Sequence, residues 1–329
     1  MRLRVRALQA VLAITVASAA AVLWPKTAQA QAGDHPIRML VGFPPGQATD
    51  LIARALARRL GIELGQTVIV DNKPGQGGSL ALGALVNAPS DGSVITLSAL
   101  AAYAINPHLY KSVPYDPLRD LAPVALVADI PTLLVANASF EPANFEQFIA
   151  YARTRPGKLL HSSSGNGTVS HLGMQELKQR AGLVIVHVPY QGSPRAMADV
   201  ASGAVHVGLD SVAATRAMID GGKIKVLAAA SANRLPMFPD VPTIAESGYP
   251  GFAVSAWTGV SLPAGTAPAV RERLSQAVMR VTRSPDFAAE LRPLGATPRT
   301  STVAEFEAFL RAELTRWGTA VRATKATVE

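Results

Sequence analysis

The chain has 329 residues, no cysteine and a formal charge of +8. Without disulfides, buried apolar area has to stabilise it, and its length suggests about two domains. Basic residues are scattered singly and aromatic residues make up only 5% of the chain, which argues against a phosphate-binding patch or a base-stacking platform. We therefore expect no nucleic-acid partner.

The N-terminus has the pattern of a secretory signal peptide over residues 1–30. Three arginines precede an apolar stretch from Ala7 to Leu23, and Ala28-Gln29-Ala30 provides a small-residue cleavage site. An uncleaved anchor is the alternative, but the adjacent cleavage site favours removal near Ala30. Four of the 31 basic residues lie in this segment, so 27 remain against 23 acidic residues, a balance of +4. We expect an exported protein without stable membrane insertion after cleavage.

Beyond the presequence, short apolar runs alternate with amphipathic segments, which predicts alternating strands and helices. The first part predicts a strand at Ile37–Phe43, a helix at Thr49–Leu60, and strands at Thr67–Asp71 and Val94–Leu97. Further strands and helices alternate at Leu133–Ala136, Phe145–Arg153, Lys158–Ser162, Val169–Ala181, Val184–Val188, Pro194–Ser202, Val205–Leu209, Ala213–Asp220 and Lys225–Ala230. This alternation predicts an α/β fold with mostly parallel sheet flanked by helices.

The C-terminal region has a different pattern. Phe252–Leu262 is predicted to be one long strand, followed by three helical segments. Pro268 suits the first turn of the first of these helices. The last opens with the capping box Thr302-x-x-Glu305 and repeats apolar residues, including Phe306 and Trp317, at three- and four-residue spacing. These aromatic side chains are predicted to pack in the core.

Two stretches, Asp129–Thr132 and Val254–Trp257, could carry the chain between two lobes. If both cross, residues 31–131 and 256–329 form a discontinuous first lobe, and residues 132–255 form an inserted second lobe. A ligand cleft is then expected between the lobes, where α/β sheets present helix N-termini.

The first candidate site is a strand that runs through Pro44-Pro45-Gly46 into a helix. The prolines fix the turn, Gly46 lets the backbone approach a guest, and the helix start offers unpaired N–H groups and a positive dipole end. That arrangement suits a carboxylate. The alternative is a plain turn in which Thr49 or Asp50 caps the helix.

The second candidate site, Ser162–His171, also lies between a predicted strand and a predicted helix. Its hydroxyl groups and glycines can ligate an anion without a fixed positive charge. A flexible Ser/Gly loop with an N-cap is the alternative. Two such loops, one in each predicted lobe, favour a binding site more than either loop alone.

The sequence lacks the usual motifs of enzymes and of metal sites. Gly75–Leu80 and Gly165–Ser170 lack the last glycine of the dinucleotide fingerprint, and the chain contains no nucleophile elbow, phosphate loop or H-E-x-x-H motif. The six histidines fall at no familiar metal spacing. A secreted serine hydrolase that uses Ser170 or Ser164 with His171 remains the alternative. We expect no enzyme, no cofactor and no metal.

Short blocks along nearly the whole mature chain carry a family resemblance. They are Phe43-Pro44-Pro45-Gly46 with Thr49-Asp50, Asp71-Asn72-Lys73-Pro74-Gly75, Ala88-Pro89-Ser90-Asp91-Gly92, Asn106-Pro107-His108-Leu109-Tyr110, Tyr115-Asp116-Pro117, Ala122-Pro123-Val124, Val188-Pro189-Tyr190 and Pro239-Asp240-Val241-Pro242-Thr243. With these blocks the chain resembles the Bug family, the TctC-like periplasmic solute-binding receptors of tripartite tricarboxylate transporters.

The resemblance implies a two-lobed, type II Venus-flytrap fold, each lobe a mostly parallel sheet flanked by helices. It also implies capture of a small carboxylate for the inner-membrane permease subunits of a transporter. That carboxylate could be a dicarboxylate or tricarboxylate, an acidic amino acid or an aromatic acid. A monomer is expected, and a ligand-sensing subunit for a signalling partner is a further alternative.

Carried onto this sequence, the resemblance implies ligand-binding residues in both lobes. The first lobe contributes Phe43, Pro44, Pro45, Gly46, Gln47, Ala48, Thr49, Asp50 and Ser98. The second lobe contributes Ser164, Gly165, Asn166, Gly167, Thr168, Ser170, His171, Tyr190, Gly192, Ser193, Arg195 and Asp210. Two of these depart from the family pattern. Gln47 stands where a second glycine is usual, and Arg195 could bind a second carboxylate or lie solvated at a helix start.

Overall fold

The computed structural model describes residues 35–324, and the predicted signal peptide lies outside them. Within that range, ten strands form one mixed sheet. In chain order they are β1 (Ile37–Val41), β2 (Val68–Asn72), β3 (Val94–Ala99), β4 (Leu121–Asn137), β5 (Leu160–Ser163), β6 (Val186–Pro189), β7 (Val207–Ser211), β8 (Ile224–Ala229), β9 (Ser255–Pro263) and β10 (Thr297–Pro298).

Helices cover both faces of this sheet. They are α1 (Ala48–Leu64), α2 (Ser79–Val86), α3 (Asn106–Leu109), α4 (Phe145–Arg153), α5 (Val169–Ala181), α6 (Ser193–Ser202), α7 (Val212–Asp220), α8 (Pro268–Arg283), α9 (Pro285–Leu291) and α10 (Val303–Thr324). A π-helical turn, Ala101–Ile105, precedes α3. Among the helices of the described range, none has the length and apolarity needed to cross a membrane.

The 17-residue strand β4 joins two halves of the sheet. Its first part pairs antiparallel with β9, from Leu121 opposite Pro263 to Pro131 opposite Ser255. Its second part pairs antiparallel with β7 and β8. We call the strands β2-β1-β3-β9 with the start of β4 the first half, and β7-β5-β6 with β8 and the end of β4 the second half. The outer strands of each half pair in parallel.

The two predicted crossing segments lie side by side on β4 and β9. Asp129 pairs with Trp257 in the ladder, and the Thr132 hydroxyl donates a hydrogen bond of 2.8 Å to the carbonyl of Val254. The predicted lobe limits, 31–131 with 256–329 and 132–255, stay a prediction, because His35–Glu329 belong to one compact unit. At this point β4 is the strand that both halves share, and β9 belongs to the first half.

Most predicted elements are present with ends shifted by one to four residues, and Phe145–Arg153 and Val169–Ala181 match their predicted bounds. The sequence patterns underestimate β4, since only Leu133–Ala136 is predicted. Pro123 and Pro131 break the expected strand pattern, yet the ladder continues past Pro123 through a register shift. Helix α2 is also missed, because its nearly all-apolar sequence carries no helical periodicity.

The last helix, α10, packs as its periodicity predicts. Phe306 and Trp317 are buried, and Thr302 and Glu305 form the capping box through reciprocal hydrogen bonds. Tyr103 stacks on Trp257 at 5.4 Å between ring centroids, and Phe306 meets both rings edge-on. The predicted core role of these aromatic residues is confirmed.

Glu313 is a buried acid beneath this cluster. Its Oε2 accepts hydrogen bonds from the indole N–H groups of Trp257 at 2.8 Å and Trp317 at 3.1 Å. We expect Glu313→Leu to lower the free energy of unfolding by about 2–4 kcal/mol, because two buried donors lose their acceptor. Denaturant unfolding measures the loss.

Glu307→Leu on the same helix is the matched control. Glu307 pairs with Arg271 at 2.5 Å, and its side chain is 43% exposed. An exposed ion pair contributes about 0–1 kcal/mol. Equal losses for the two variants would contradict a structural role for the buried acid.

Candidate functional site

Two neighbouring cavities lie between the sheet halves, beyond the carboxyl ends of the strands. The outer cavity holds about 540 Å³ and the inner one about 60 Å³. Phe43, Gln47 and Ser164 belong to both walls. The rest of the outer wall is Gly42, Pro44, Pro74, Gly75, Gln76, Gly77, Tyr110, Gly165, Asn166, Pro189, Tyr190, Gln191 and Gly192. The rest of the inner wall is Ala48, Thr49, Ala99, Ala101, Ile130, Thr132, Thr168, Val169, Ser170, Asp210, Ser211 and Ala256.

Helix α1 begins at the inner cavity without a side-chain cap. Its N-cap residue, Gln47, has extended backbone angles and makes no capping hydrogen bond. The alternative that Asp50 caps this helix is wrong, because its Oδ2 accepts from the N–H of Gly46, in the turn before the helix, at 2.9 Å. The first-turn N–H groups of α1 therefore receive no hydrogen-bond acceptor from a capping side chain.

Asp50 instead braces the Pro-Pro-Gly turn. Arg54 donates to its Oδ2 at 3.0 Å, and the Asn72 amide donates both to its Oδ1 and to the carbonyl of Phe43, each at 2.9 Å. Burial alone would raise the pKa of Asp50, but hydrogen bonds from Arg54, Gly46 and Asn72 together hold it below its usual value. The carboxyl is ionised and fully engaged within its own half.

Helix α5 begins at the inner cavity in the same way. Its N-cap residue, Thr168, makes no capping bond to the helix and donates to the carbonyl of Gly165 at 2.7 Å. The Ser170 hydroxyl lies 2.8 Å from that of Thr168 and 2.9 Å from that of Ser164. This chain of hydroxyls orders the loop and leaves the helix N–H groups available to a guest.

Three imidazole rings stack beneath this loop. His171 lies 4.2 Å from His187, and His187 lies 4.8 Å from His161, with interplanar angles of 9° and 15°. Burial lowers the pKa of His171 to about 4, of His187 to about 3 and of His161 to about 2, so all three are neutral near pH 7.

Two of the three rings have a nitrogen that bonds to the loop or to a serine, whereas both nitrogens of His161 are buried without a partner. His171 Nδ1 accepts from the N–H of Gly167 at 3.3 Å, and His187 Nε2 lies 2.7 Å from the Ser163 hydroxyl. The ring of His171 thus supports the loop, whereas the hydrolase alternative needs it paired with Ser164 or Ser170. Nothing in this geometry favours that alternative.

Helix α6 contributes its start through Ser193, whose hydroxyl donates to Asp210 Oδ1 at 2.9 Å. Tyr190, before this helix, lines the outer cavity and donates to Asp199 at 2.6 Å. Arg195 is exposed and belongs to neither cavity wall. It lies in the first turn of α6.

The predicted site residues divide into wall residues and supporting residues. Those in a wall are Phe43, Pro44, Gln47, Ala48, Thr49, Ser164, Gly165, Asn166, Thr168, Ser170, Tyr190, Gly192 and Asp210. Those outside both walls are Pro45, Gly46, Asp50, Ser98, Gly167, His171, Ser193 and Arg195. Ser98 is fully buried in β3 opposite Gly259, with its hydroxyl unpartnered.

Sequence reasoning missed the loop from Pro74 to Gly77 and the side chain of Tyr110. The loop follows the carboxyl end of β2, the position that marked the other two loops, so the same logic would have found it. Asn106 holds it by donating to the carbonyl of Gln76 at 2.8 Å. Thr132 and Ala256 also went unpredicted as wall residues, because they lie on crossing strands rather than loops.

The two sides of the cleft touch across the cavities. The Tyr110 hydroxyl donates to the carbonyl of Asn166 at 3.4 Å. A Cβ atom on Gly167 would lie 2.7 Å from Asn106 Oδ1, and one on Gly192 would lie 3.2 Å from Pro44. The structure therefore shows a shut cleft in which these two glycines allow close approach.

The walls are almost free of charge. Of the Asp, Glu, Lys, Arg and His side chains in residues 35–324, only Asp210 lines either cavity. Hydroxyl groups, amides and helix starts supply the polarity. Such a site can hold an anion only through neutral donors and helix dipoles.

Comparison with known proteins decides the family. The model of the tripartite tricarboxylate transporter family receptor matches residues 52–325. The chain belongs to this receptor family. The resemblance to Bug receptors is thereby confirmed.

Three solved structures are similar to this receptor over nearly their whole length. The periplasmic binding protein BugD is 31% identical with a TM-score of 0.85, covering 90% of this chain and 100% of its own. Rpa4515 of R. palustris, solved with adipate, is 31% identical with a TM-score of 0.85, covering 92% and 98%. MatC of Rhodopseudomonas palustris, solved with bound malate, is 30% identical with a TM-score of 0.81, covering 87% and 99%. The predicted two-lobed binding-protein fold is confirmed.

Gly167 tests whether the receptor must shut tightly. Its φ of +76° already disfavours a side chain, and an added methyl group would also press on Asn106 and Leu109 across the cleft. We expect Gly167→Ala to weaken carboxylate binding at least about tenfold, which calorimetry would measure as a loss of about 1.4 kcal/mol.

Gly182→Ala is the matched control for this substitution. Gly182 has a similar φ of +65° and nothing within 4 Å of an added Cβ atom. Both variants should lose similar stability from the left-handed backbone, but only Gly167→Ala should lose affinity. Equal affinities would show that the contact across the cleft is unimportant.

The stacked histidines predict acid sensitivity. Their pKa values lie below the unfolded value of about 6.5, so between about pH 6.5 and 4 the unfolded chain binds more protons than the folded one. The free energy of unfolding should therefore fall as the pH falls, by up to about 1.4 kcal/mol per pH unit for each histidine.

Denaturant unfolding at pH 7 and pH 5 measures this dependence. His187→Gln, which retains a side chain able to bond the Ser163 hydroxyl, should reduce the pH slope. His35→Gln, at an exposed position, should leave the slope as in the parent protein. A slope unaffected by His187→Gln would rule out the stacked ring as its source.

Proposed function

We propose that this receptor captures a small carboxylate in the periplasm and delivers it to the inner-membrane permease subunits of a tripartite tricarboxylate-type transporter. One observation carries the proposal. Helices α1 and α5, from opposite halves of the sheet, both begin uncapped at the inner cavity. Side chains cap α4, α7 and α9, through Asn144, Ser211 and Ser284. Helices α2, α3, α6 and α8 also lack a side-chain cap, so what distinguishes α1 and α5 is that their uncapped starts meet at one cavity.

An uncapped helix start favours an anionic acceptor. The first-turn N–H groups have no intrahelical partner, and the dipole places partial positive charge at the same point. Two such starts that face one small cavity supply the donors that a carboxylate group needs. Hydroxyl groups of Thr49, Ser164 and Ser170 in the same wall can complete its hydrogen bonds.

The two cavities differ in size and would hold different parts of the ligand. At about 60 Å³, the inner cavity has room for a carboxylate group and a few further atoms. The outer cavity, at about 540 Å³, lies within the range of about 300–1,000 Å³ that is usual for small-molecule sites. Its wall combines Phe43 and two tyrosines with the amides of Gln76, Asn166 and Gln191, so it suits the body and distal end of the ligand.

Gln47 stands between the cavities. Its side chain is 7% exposed, lines both walls and leaves Oε1 without a partner. Since a glycine is usual here in the family pattern, the side chain narrows the passage and adds an amide that can bond the ligand. We assign Gln47 a role in ligand selection.

Capture would follow hinge closure. A ligand bound by α1 and α5 contacts both halves at once, so it stabilises the shut form over the open form. The hinge would lie where β4 and β9 pair, at Asp129–Pro131 and Ser255–Trp257. Adipate and malate in two structural neighbours support the carboxylate class.

Delivery to a permease, location and oligomeric state rest on the family. Receptors of tripartite tricarboxylate transporters are the family to which the chain belongs. The proposed export signal at residues 1–30, with cleavage near Ala30, fits a periplasmic solute-binding protein. We propose a monomer that diffuses freely between capture and delivery.

Ligand-induced stabilisation tests the proposal. The protein would be unfolded, dialysed and refolded to remove any retained ligand, then heated with adipate, malate, succinate, glutamate or benzoate. Binding at 100 times the Kd adds about 2.7 kcal/mol to the native state, which corresponds to about 5 °C or more in Tm.

Adipamide is the uncharged control and should leave the Tm unchanged. Calorimetry with the best acid should give one site per chain. Absence of any shift with the whole panel, for a refolded protein of native circular dichroism, would contradict the proposed carboxylate class.

A further inference from the structure

One acidic side chain stands in the wall of a cavity suited to an acid. Asp210, near the end of β7, is 5% exposed and lines the inner cavity. Its Oδ1 accepts from the hydroxyl of Ser193 at 2.9 Å and from the N–H of Ser211 at 2.7 Å. Its Oδ2 is buried and has no hydrogen-bond partner.

The groups around Asp210 offer it no compensating cation. Charged or titratable residues on the elements packed against β7, and on α1 across the cavity, mostly have partners of their own. These pairs are Asp129 with Arg299, Glu176 with Arg180, Asp199 with Tyr190, Arg216 with Asp220, and Asp50 with Arg54. His161 and His171 are stacked and neutral, and Lys178 and Arg195 lie outside the cavity wall.

A ligand carboxylate in this cavity meets Asp210 at close range. The inner cavity holds only about 60 Å³ and Asp210 lines it, so a carboxylate placed there lies beside the Asp210 side chain. Two ionised carboxylates side by side, away from water and without a cation, repel strongly, and such pairs share a proton. Because Oδ1 already accepts two hydrogen bonds, the proton belongs on Oδ2.

We infer that Asp210 binds the ligand carboxylate as a neutral acid, donating from Oδ2, so that each binding event takes up a proton from solvent. This inference rests on the proposed carboxylate-binding function and deepens it. The bond formed is O–H···O⁻, which is short and strong between carboxyl groups. Asp210 is thereby a specificity-determining residue, because it accepts an anion only together with a proton.

The empty receptor is poised for this uptake. Burial raises the pKa of Asp210 to about 6, although hydrogen bonds from Ser211 and Ser193 oppose the rise. At pH 7 the side chain is therefore mostly ionised before the ligand arrives. A bound carboxylate raises the pKa further, so binding should take up about 0.9 proton at pH 7, and the Kd should rise about tenfold per pH unit above pH 7.

Calorimetry in phosphate and in Tris, whose ionisation enthalpies differ, measures the proton uptake directly. The probes are succinate, adipate and pimelate, because their only polar groups are carboxylates and they offer Asp210 no other donor. The expected result is an uptake of about 0.9 proton at pH 7 and a Kd that rises about tenfold from pH 7 to pH 8.

Asp210→Asn is the decisive variant. Its amide oxygen keeps the acceptor for Ser193 and Ser211, and its N–H₂ group stands where the proton would be. The variant should bind without proton uptake, with a Kd that is flat from pH 6 to pH 8 and tighter than the parent protein at pH 8. Asp220→Asn, on α7 outside the site, should keep the parent behaviour.

The outcomes separate the inference from the proposed function. Binding of these dicarboxylates without proton uptake would overturn the inference and leave the carboxylate receptor standing. A folded Asp210→Asn variant that loses binding at every pH would also overturn it, as would binding confined to acids with a hydroxyl or ammonium donor. Absence of binding to every acid of the wider panel would instead overturn the proposed function, and the inference with it.

Discussion

Backbone hydrogen bonding along β4 is the constraint on which the rest of the structure depends. A buried strand has to pair its N–H and C=O groups along its whole length, and β4 does so with different partners in its two parts. The change of partner at Pro131 and Thr132 creates two sheet halves that share one strand. The loops that follow β1, β2, β5, β6 and β7 then face each other across a single cleft, and they supply most of the wall residues of the two cavities.

In the proposed function, a charged ligand in the cleft would be recognised by groups that are almost all uncharged. Helix starts, hydroxyl groups and amides surround the cavities, and the ionised Asp50 and Arg54 are occupied with each other behind the turn. Neutral donors cost less to bury than an unpaired cation would when the cleft is empty and open. Desolvation also explains why the three stacked histidines beneath the second loop are neutral, because burial disfavours the charged form of an imidazole ring.

Local sequence patterns predict most of the fold, because an amphipathic helix or an apolar strand depends on its own residues. Helices α4 and α5 match their predicted bounds for this reason, and so does the capping box at Thr302. Strand β4 resists prediction, because its ladder with β9 passes Pro123 through a register shift that only the paired strands reveal. The two loops of the site, each between a strand and a helix start, can be predicted from the sequence, since strand, glycine and helix signals are local. Tyr110, Thr132 and Ala256 do not, since they reach the cavities through tertiary contacts alone.

The partition made by Gln47 has a consequence for how such receptors can diversify. In the proposed function, the inner cavity would hold the charged group of the solute, and its wall is built from helix starts and hydroxyl groups that follow the strand ends. The roomier compartment is walled by side chains of exchangeable size, among them Phe43, Gln76, Tyr110 and Gln191. Substitutions around the outer cavity would therefore change the length and shape of the accepted solute, while the proposed binding of its acid end would stay the same.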